Sequence, residues 1–541
     1  MKVLIIGGVA AGTKTAAKLK REHRDYEVTI LTKGEDISYA GCGLPYYVGD
    51  VIHDRAELIV NTPESFSNLT GVVVKNRTEV TALDREKKTV LAKDLATGEE
   101  TEYAYDKLVI AVGADPVKPP LPGLDLEGVY FMRTPADAIT LRDAVEAGKV
   151  KRVVIVGGGF IGLELAENLQ AQGAKVSIID MAPQVLPGFD PELAEYVENH
   201  LADRGIMAFT GTKLAGVEGE NGHVTKVLTE KRGMKADTVI LSMGIRPNTA
   251  FLADSGLEMF KGTICVDEHL QTNDPDIYAV GDCAFTRNRQ TGNKAWSPLG
   301  SSANMEGRVA ARVIAGEDVT YTGVFGTSIA QLPGLNVGRT GLTETAAKDM
   351  GIDAESVVLI TDDKAHYYPG ASTFIIKLIA EKGTKKLLGV QVLGAGAVDK
   401  VVDICVMAIA MNATLNDMES LDFAYAPPFS TAIHPLVNAV NVLLNKMDGR
   451  LASITPAEYK AGAAEGYKVM DVSLSPSIDG APYIDLTKIN GEVPGFGKDE
   501  KILVVCNKGK RAYLTQNRLK YYGYTNTVVL EGGNIFTDVK A

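Results

Sequence analysis

The chain has 541 residues, 45% hydrophobic and 23% charged, with a formal net charge of −12. That length exceeds one ordinary core and calls for three or four domains. The acidic balance argues against general nucleic-acid binding and against a polyanionic membrane surface, and no apolar run is long enough to span a bilayer.

In chain order, Lys2–Ile6 reads as a strand and not a signal sequence, because it runs straight into glycines and a charged helix. Gly7, Gly8, Ala10, Ala11 and Gly12 lie in the turn, residues 13–22 form a helix and residues 27–32 the next strand. This is a βαβ dinucleotide-binding unit with an altered fingerprint. Val9 stands where the second glycine belongs, and Thr32 where an acidic residue would hold a ribose; Glu35 and Asp36 are the available substitutes. Next comes Ser38-Tyr39-Ala40-Gly41-Cys42-Gly43-Leu44-Pro45-Tyr46-Tyr47, with no second cysteine near Cys42. A lone cysteine carries its redox state as a mixed disulfide, a persulfide or a sulfenic acid; taken by itself, Cys42 fits a buried core thiol equally well.

Residues 105–116 form a buried strand ending in the small-residue turn Ala111-Val112-Gly113. Residues 272–283 deliver Gly281-Asp282 to a point where a carboxylate can accept a ribityl hydroxyl. Between them lies a second βαβ unit: strand Arg152–Val156, an intact Gly157-Gly158-Gly159-Phe160-Ile161-Gly162, helix 163–172 and strand 175–180. Asp180 stands 18 residues past Gly162, where a carboxylate accepts from a 2′-hydroxyl and repels a 2′-phosphate. No arginine follows in Met181-Ala182-Pro183-Gln184, so NADH is favoured over NADPH. Gly244 lies in the turn that returns the chain to the first domain.

From about residue 320 the composition changes. Strands 374–379 and 387–393 precede an apolar helix, 398–411, and the run Phe423-Ala424-Tyr425-Ala426-Pro427-Pro428-Phe429-Ser430. Residues 448–466 read as a connector with a short helix, followed by a small α/β module whose loop Cys506-Asn507-Lys508-Gly509-Lys510-Arg511 opens helix 512–522. Amide groups and cations at a helix start stabilise an anionic sulfur on Cys506. Cys265, Cys283 and Cys405 read as core. Five widely spaced cysteines make neither a secreted disulfide framework nor a zinc set, so a cytoplasmic setting and no metal are expected.

Up to residue 446 these motifs resemble the single-cysteine pyridine nucleotide–disulfide oxidoreductases. Ser-x-x-x-Cys-Gly-Leu-Pro-Tyr, from Ser38 to Tyr46, is similar to coenzyme A disulfide reductase and the NADH-dependent coenzyme A persulfide/polysulfide reductases. The Cys-x-x-Gly-x-Arg loop resembles a rhodanese domain, and the fusion itself is the pattern of a reductase–rhodanese subfamily. The chain departs from that pattern at Gly41, where asparagine is common, at Thr32, where glutamate is common, and at Ser473, where arginine is frequent.

The resemblance implies an α/β protein with two interleaved Rossmann-like dinucleotide-binding domains, an α+β dimerisation domain and a small α/β rhodanese domain. The expected boundaries are 1–145 and 245–320 for FAD, 146–244 for NAD, 321–446 for dimerisation, 447–465 for a linker and 466–541 for rhodanese. FAD is then held by Gly7, Gly8, Ala10, Ala11, Gly12, Lys33, Val80, Ala111, Gly113, Gly281 and Asp282, and NADH by Gly157, Gly159, Ile161, Gly162, Asp180 and Gly244.

Hydride passes from NADH to flavin, and the electron pair to sulfur. Cys42 as thiolate attacks the outer substrate sulfur and forms a mixed disulfide; without a histidine beside it in sequence, flavin proximity and backbone dipoles must lower its pKa. Coenzyme A phosphates fall to Ser38, Lys75, Lys18 and Arg21, with Lys14 beside them, and Arg511 serves the rhodanese loop. Tyr368 and Tyr425 match tyrosines that reach the neighbouring subunit's cysteine in a homodimer, where a phenol protonates a leaving thiolate; interface packing is the plainer role.

The expected function is FAD-dependent, NADH-driven reduction of a small-molecule sulfur substrate (coenzyme A persulfide, polysulfide or coenzyme A disulfide), with Cys506 relaying sulfane sulfur. The alternatives are an NADH oxidase or peroxidase cycling Cys42 through sulfenic acid, and a sulfurtransferase or sulfur carrier. A rhodanese domain would be idle in an oxidase, and an intact NAD fingerprint has no place in a simple carrier.

Overall fold

A computed structural model describes residues 1–540, and the chain divides into two compact units. The first comprises Met1–Val185 and Leu201–Val324; the second comprises Leu186–His200 and the chain from Phe325 onward.

The first unit is built on two parallel sheets. One has the order Ile277–Ala279, Lys107–Ile110, Lys2–Ile6, Glu27–Leu31, Val73–Lys75, with Ile5 opposite both Ile30 and Val109. Val3 and Ile5 pack under the helices Ala10–Glu22 and Gly300–Ile314, while Leu4 and Ile6 meet the antiparallel strands Thr78–Asp84, Thr89–Asp94 and Glu100–Ala104. Both faces are covered, which is why the strand is a continuous apolar run. The other sheet has the order Met207–Phe209, Lys175–Ile179, Arg152–Val156, Thr238–Leu241, Val129–Tyr130. Its edge strand Val129–Tyr130 comes from the segment expected in the FAD-binding domain, 1–145. A two-residue strand is too short to leave a pattern.

Cys42 lies in a single turn, Gly41–Gly43, that runs into the short helix Leu44–Val48. That helix is too short to be stable alone; its neighbours hold it. Arg142, on helix Pro135–Glu146, donates to the carbonyls of Tyr47 (3.1 Å) and Ile52 (2.9 Å) and stacks its guanidinium over the Tyr47 ring. Gln172 donates to the Gly49 carbonyl at 2.7 Å, and a Cβ on Gly49 would lie 2.0 Å from the Asn168 side chain. The Cys42 segment is thereby seated on helix Phe160–Ala171, which follows the NAD fingerprint.

The second unit carries an antiparallel sheet in the order Ser328–Leu332, Leu335–Gly341, Leu387–Gly394, Thr373–Glu381, Ala354–Asp362, packed on helices Val398–Ala410 and Pro435–Met447. Lys377, 1% exposed, bonds Glu192, Asp190 at 3.0 Å and Glu344 at 2.7 Å, which fastens the Leu186–His200 segment to this sheet. A smaller parallel sheet follows in the order Ser453–Ile454, Thr527–Leu530, Ile502–Val505, Lys468–Asp471. Ser453–Ile454 falls inside the segment expected to be a linker, 447–465, so that segment supplies an edge strand of the last domain. Buried Glu531 ties this sheet to the larger one, accepting from Val358 N–H (2.8 Å), Lys446 (2.8 Å) and Ser453 (2.7 Å). Among the described residues, no helix is long and apolar enough to cross a membrane, and no cluster of side chains could hold a metal.

Candidate active site

The first fingerprint is a close approach of backbones. Gly7 has φ +109°, and a Cβ there would lie 2.1 Å from the Ala111 carbonyl oxygen; a Cβ on Gly12 would lie 1.9 Å from that of Gly7. Helix Ala10–Glu22 therefore starts directly on the strand end, and no side chain caps it and no acidic residue occupies its first turn. Unclaimed amides at a helix start suit a dinucleotide diphosphate.

Gly113 lies beside Arg133, and the Asp282 carboxylate pairs with Arg133 at 2.8 Å. Trp296 Nε1–H donates to the Asp282 carbonyl at 2.8 Å. A small-residue cradle and one aimed carboxylate are what FAD requires, so the residues present fit it. Val80 is buried with Leu4 and Ile6 under this sheet. Lys33, expected at the cofactor, is exposed and paired with Glu79 at 2.8 Å; Glu35 pairs with Arg77 at 2.7 Å, and Thr32 is buried against Gly8.

The second fingerprint repeats the geometry. A Cβ on Gly157 would lie 2.4 Å from the Ser242 carbonyl oxygen, and one on Gly162 would lie 2.0 Å from that of Gly157. At Gly159 a Cβ would meet no protein atom, which leaves room for a ligand, and Ile161 is exposed beside it. The Asp180 carboxylate accepts from Gly158 N–H (2.7 Å) and Ala182 N–H (2.8 Å), so it is held at the glycine turn. Gly244 accepts from Val117 N–H at 3.0 Å.

Cys42 is exposed, and its Sγ lies 3.8 Å from where a Cβ on Gly300 would be. The walls around it still remove enough water to push its pKa up, aided by the carboxylates of Glu164 and Asp282 and opposed by Arg133. Of the chain's own charged groups that act on Cys42, Arg133 favours the thiolate and the two carboxylates disfavour it. Tyr46 Oη donates to Glu164 Oε1 at 3.2 Å. Burial pushes Glu164 up to about 7, with the Tyr46 hydrogen bond opposing and Glu167 adding. A carboxyl group that titrates near neutrality therefore stands on the helix behind the NAD turn and acts electrostatically on Cys42.

Ser38, at φ +48°, receives a hydrogen bond on Oγ from Asn61 at 3.3 Å. Lys75 is exposed on an edge strand with its ammonium 5.5 Å from the Tyr103 ring centre, and Lys14 and Arg21 are exposed on helix Ala10–Glu22. Lys18, on the same helix, is buried and its ammonium is bound to Glu22.

In the second unit, Tyr425 is exposed, and the neighbouring Tyr367 phenol raises its pKa. Tyr368 sits in a tight turn, its N–H on Ala365 O (2.8 Å) and its carbonyl accepting from Ala371 (3.1 Å), and its side chain is exposed. Cys506 is 2% exposed; its Sγ accepts the N–H groups of Gly509 (3.2 Å) and Ala512 (3.4 Å) at the start of helix Lys510–Tyr521. Gly533, at φ +61°, lets the chain pass so close that a Cβ would lie 2.0 Å from the Cys506 carbonyl oxygen. Arg511 donates to the Val472 carbonyl at 2.7 Å and Lys508 pairs with Asp362 at 3.1 Å, so both brace the loop. Cys283 and Cys405 are buried, with Cys283 pushed up to about 12, while Cys265 is half-buried.

Residues 1–304 match the pyridine nucleotide-disulphide oxidoreductase family, residues 332–437 its dimerisation domain and residues 438–534 the rhodanese-like domain. The chain belongs to the pyridine nucleotide-disulphide oxidoreductases. It is similar to a solved NAD-dependent persulfide reductase from A. fulgidus, at 35% identity and TM-score 0.94, over 99% of this chain and 100% of that one. A reduced Bacillus anthracis CoADR-RHD structure matches at 33% identity and TM-score 0.93, over 99% and 97%. An NADH oxidase of Methanocaldococcus jannaschii is 34% identical over 453 residues, 83% of this chain and 100% of the oxidase.

As a member of this family the chain is an FAD-dependent NAD(P)H oxidoreductase. Two side chains around Cys42 and Asp282 carry no sequence signal. Glu164 looks like any polar residue of an amphipathic helix, and Arg133 is a lone arginine in a loop.

Proposed function

We propose that this enzyme uses NADH and FAD to reduce sulfur–sulfur bonds, in coenzyme A persulfide, polysulfide or coenzyme A disulfide, at Cys42. Cys506 supplies or receives the sulfane sulfur. The observation that carries this reading is the second sulfur site: Cys506 rests on two backbone N–H groups in a chain whose only exposed cysteine among the described residues is Cys42. An anionic persulfide is stabilised by such a cradle, and reduction of oxygen has no use for it.

Bound FAD supplies a two-electron relay from nicotinamide to sulfur. Around it, the uncapped turns after Gly7 and Gly157 take diphosphate groups, Arg133 holds Asp282 for the ribityl chain, and Asp180 accepts from the 2′-hydroxyl of NADH. Cys42 as thiolate attacks the substrate; a Cys42–sulfur bond forms as the substrate's sulfur–sulfur bond breaks, and the expelled thiolate or hydrosulfide takes a proton. Two electrons originating in NADH then cleave the resulting Cys42 mixed disulfide or persulfide, which returns the Cys42 thiolate and releases a thiol or hydrogen sulfide. Glu164, paired with Tyr46, is the proton reservoir beside that sulfur. Ser38, Lys75, Lys14 and Arg21 receive the coenzyme A phosphates. The enzyme works as a cytoplasmic homodimer in which Tyr367 and Tyr425 protonate the thiolate released at the partner subunit's Cys42.

NADH consumption with coenzyme A persulfide, coenzyme A disulfide, polysulfide, oxygen and peroxide, in wild type, Cys42→Ser and Cys506→Ser, tests this. Cys42→Ser should lose sulfur reduction while NADH still bleaches the flavin, and Cys506→Ser should be impaired on polysulfide. Turnover confined to oxygen or peroxide would establish the oxidase reading, which the similarity to the Methanocaldococcus oxidase favours.

A further inference from the structure

Helix Gly300–Ile314 carries a carboxyl group that the chemistry above does not use. Glu306 is 2% exposed, and its Oε2 accepts the N–H of Gly281 at 2.6 Å. Gly281 has φ +77° and packs against Ala11 and Ala303; Asp282 follows it directly, its carboxylate on Arg133 and its carbonyl on Trp296. The hydroxyl of Tyr321 is also buried and faces Glu306 and Ser302 without closing a full hydrogen bond to either. Two buried polar groups thus meet beside one amide donor, at the turn that aims Asp282.

We propose that Glu306 is a positioning residue for the flavin: its carboxyl group locks the Gly281-Asp282 turn and sets how tightly the chain retains FAD. This rests on Asp282 being the ribityl contact proposed above. Burial pushes Glu306 up to about 8, with the Gly281 amide opposing and Asp282 adding. It is therefore a neutral acid at pH 7. Other titratable groups face it or lie close by. Asp282 is paired with Arg133, burial pushes Cys283 up to about 12, and Tyr321 is raised by burial and by Glu306 itself. Lys14, on the helix that packs against Gly307, is exposed. Above pH 8 an ionised Glu306 would stand beside Asp282 at the turn proposed to hold FAD, so FAD should loosen as pH rises through that value, by about tenfold from pH 7 to 9 where the acid form alone binds well.

FAD dissociation from the holoenzyme, followed by the return of free-flavin fluorescence at pH 7 and pH 9, tests this in wild type, Glu306→Gln, Glu306→Leu and Asp282→Ala. Glutamine keeps an acceptor for the Gly281 amide and cannot ionise, so Glu306→Gln should hold FAD like wild type at pH 7 and lose the weakening at pH 9. Leucine leaves a buried amide unpaired, and Glu306→Leu should weaken FAD about tenfold already at pH 7. Wild-type pH dependence persisting in Glu306→Gln would overturn the proposal, as would wild-type affinity in Glu306→Leu. If the leucine variant does not fold, the glutamine profile decides alone. Normal FAD affinity in Asp282→Ala would instead overturn the assignment of Asp282.

Discussion

Replacing Glu164 by glutamine should change both the stability of the protein and the reactivity of Cys42. Burial moves this carboxyl from 4.5 to about 7. At about 1.4 kcal/mol per pH unit, holding the ionised form there costs about 3 kcal/mol. Solvent screening of a half-buried group brings that to about 2 kcal/mol. A carboxyl whose native pKa is raised binds more protons folded than unfolded between 4.5 and 7, so stability falls as pH climbs through that window and stays lower above it.

Glutamine has no proton to lose. Glu164→Gln holoenzyme should therefore match wild type near pH 5 and exceed it at pH 8.5 by a few degrees in thermal midpoint, at about 2–4 °C per kcal/mol. Glu164 is also among the groups that raise the Cys42 thiol, so iodoacetamide should alkylate Cys42 faster in the variant at pH 8.5. The wild-type alkylation profile should carry an inflection near 7 that the variant lacks. Superimposable alkylation profiles and equal midpoints at pH 8.5 would refute the coupling between this carboxyl and the cysteine.

Lys377→Met should destabilise the second unit by about 3–5 kcal/mol in urea unfolding, because it strands the Asp190, Glu192 and Glu344 carboxylates without their cation; a loss below about 1 kcal/mol would show that the cluster is solvated. Asp180→Ala combined with Met181→Arg should lower kcat/KM for NADH by about tenfold or more, through loss of a charged hydrogen bond, and raise it for NADPH; an unchanged ratio would mean that Asp180 only braces Gly158. Gly533→Ala forces a side chain against the Cys506 carbonyl at a positive φ. Thiosulfate–cyanide sulfur transfer should then fall by about tenfold or more, with NADH-driven reduction of coenzyme A disulfide unchanged.

The two dinucleotide folds were legible because a parallel strand buried on both faces must be apolar throughout, and because the backbone approaches at Gly7, Gly12, Gly157 and Gly162 admit no side chain. Cys506 lies within a few residues of the two amides that meet its sulfur, Gly509 and Ala512, whereas Asp180 reaches Gly158 across 22 residues, a spacing that the βαβ unit itself sets. Val129–Tyr130 and Ser453–Ile454 escaped because two residues cannot show a period. The surroundings of Lys18 depend on what covers its helix, which no residue of the helix itself encodes.

The sequence by itself determined the fold class and the nucleotide turns. Only the tertiary structure decided what surrounds Cys42 and the flavin turn: Tyr46 meets Glu164 across 118 residues, Arg133 meets Asp282 across 149, and Gly281 meets Glu306 across 25. Protonation at those groups is set by desolvation and by charges brought close through folding, and neither is a property of any residue's neighbours in the chain.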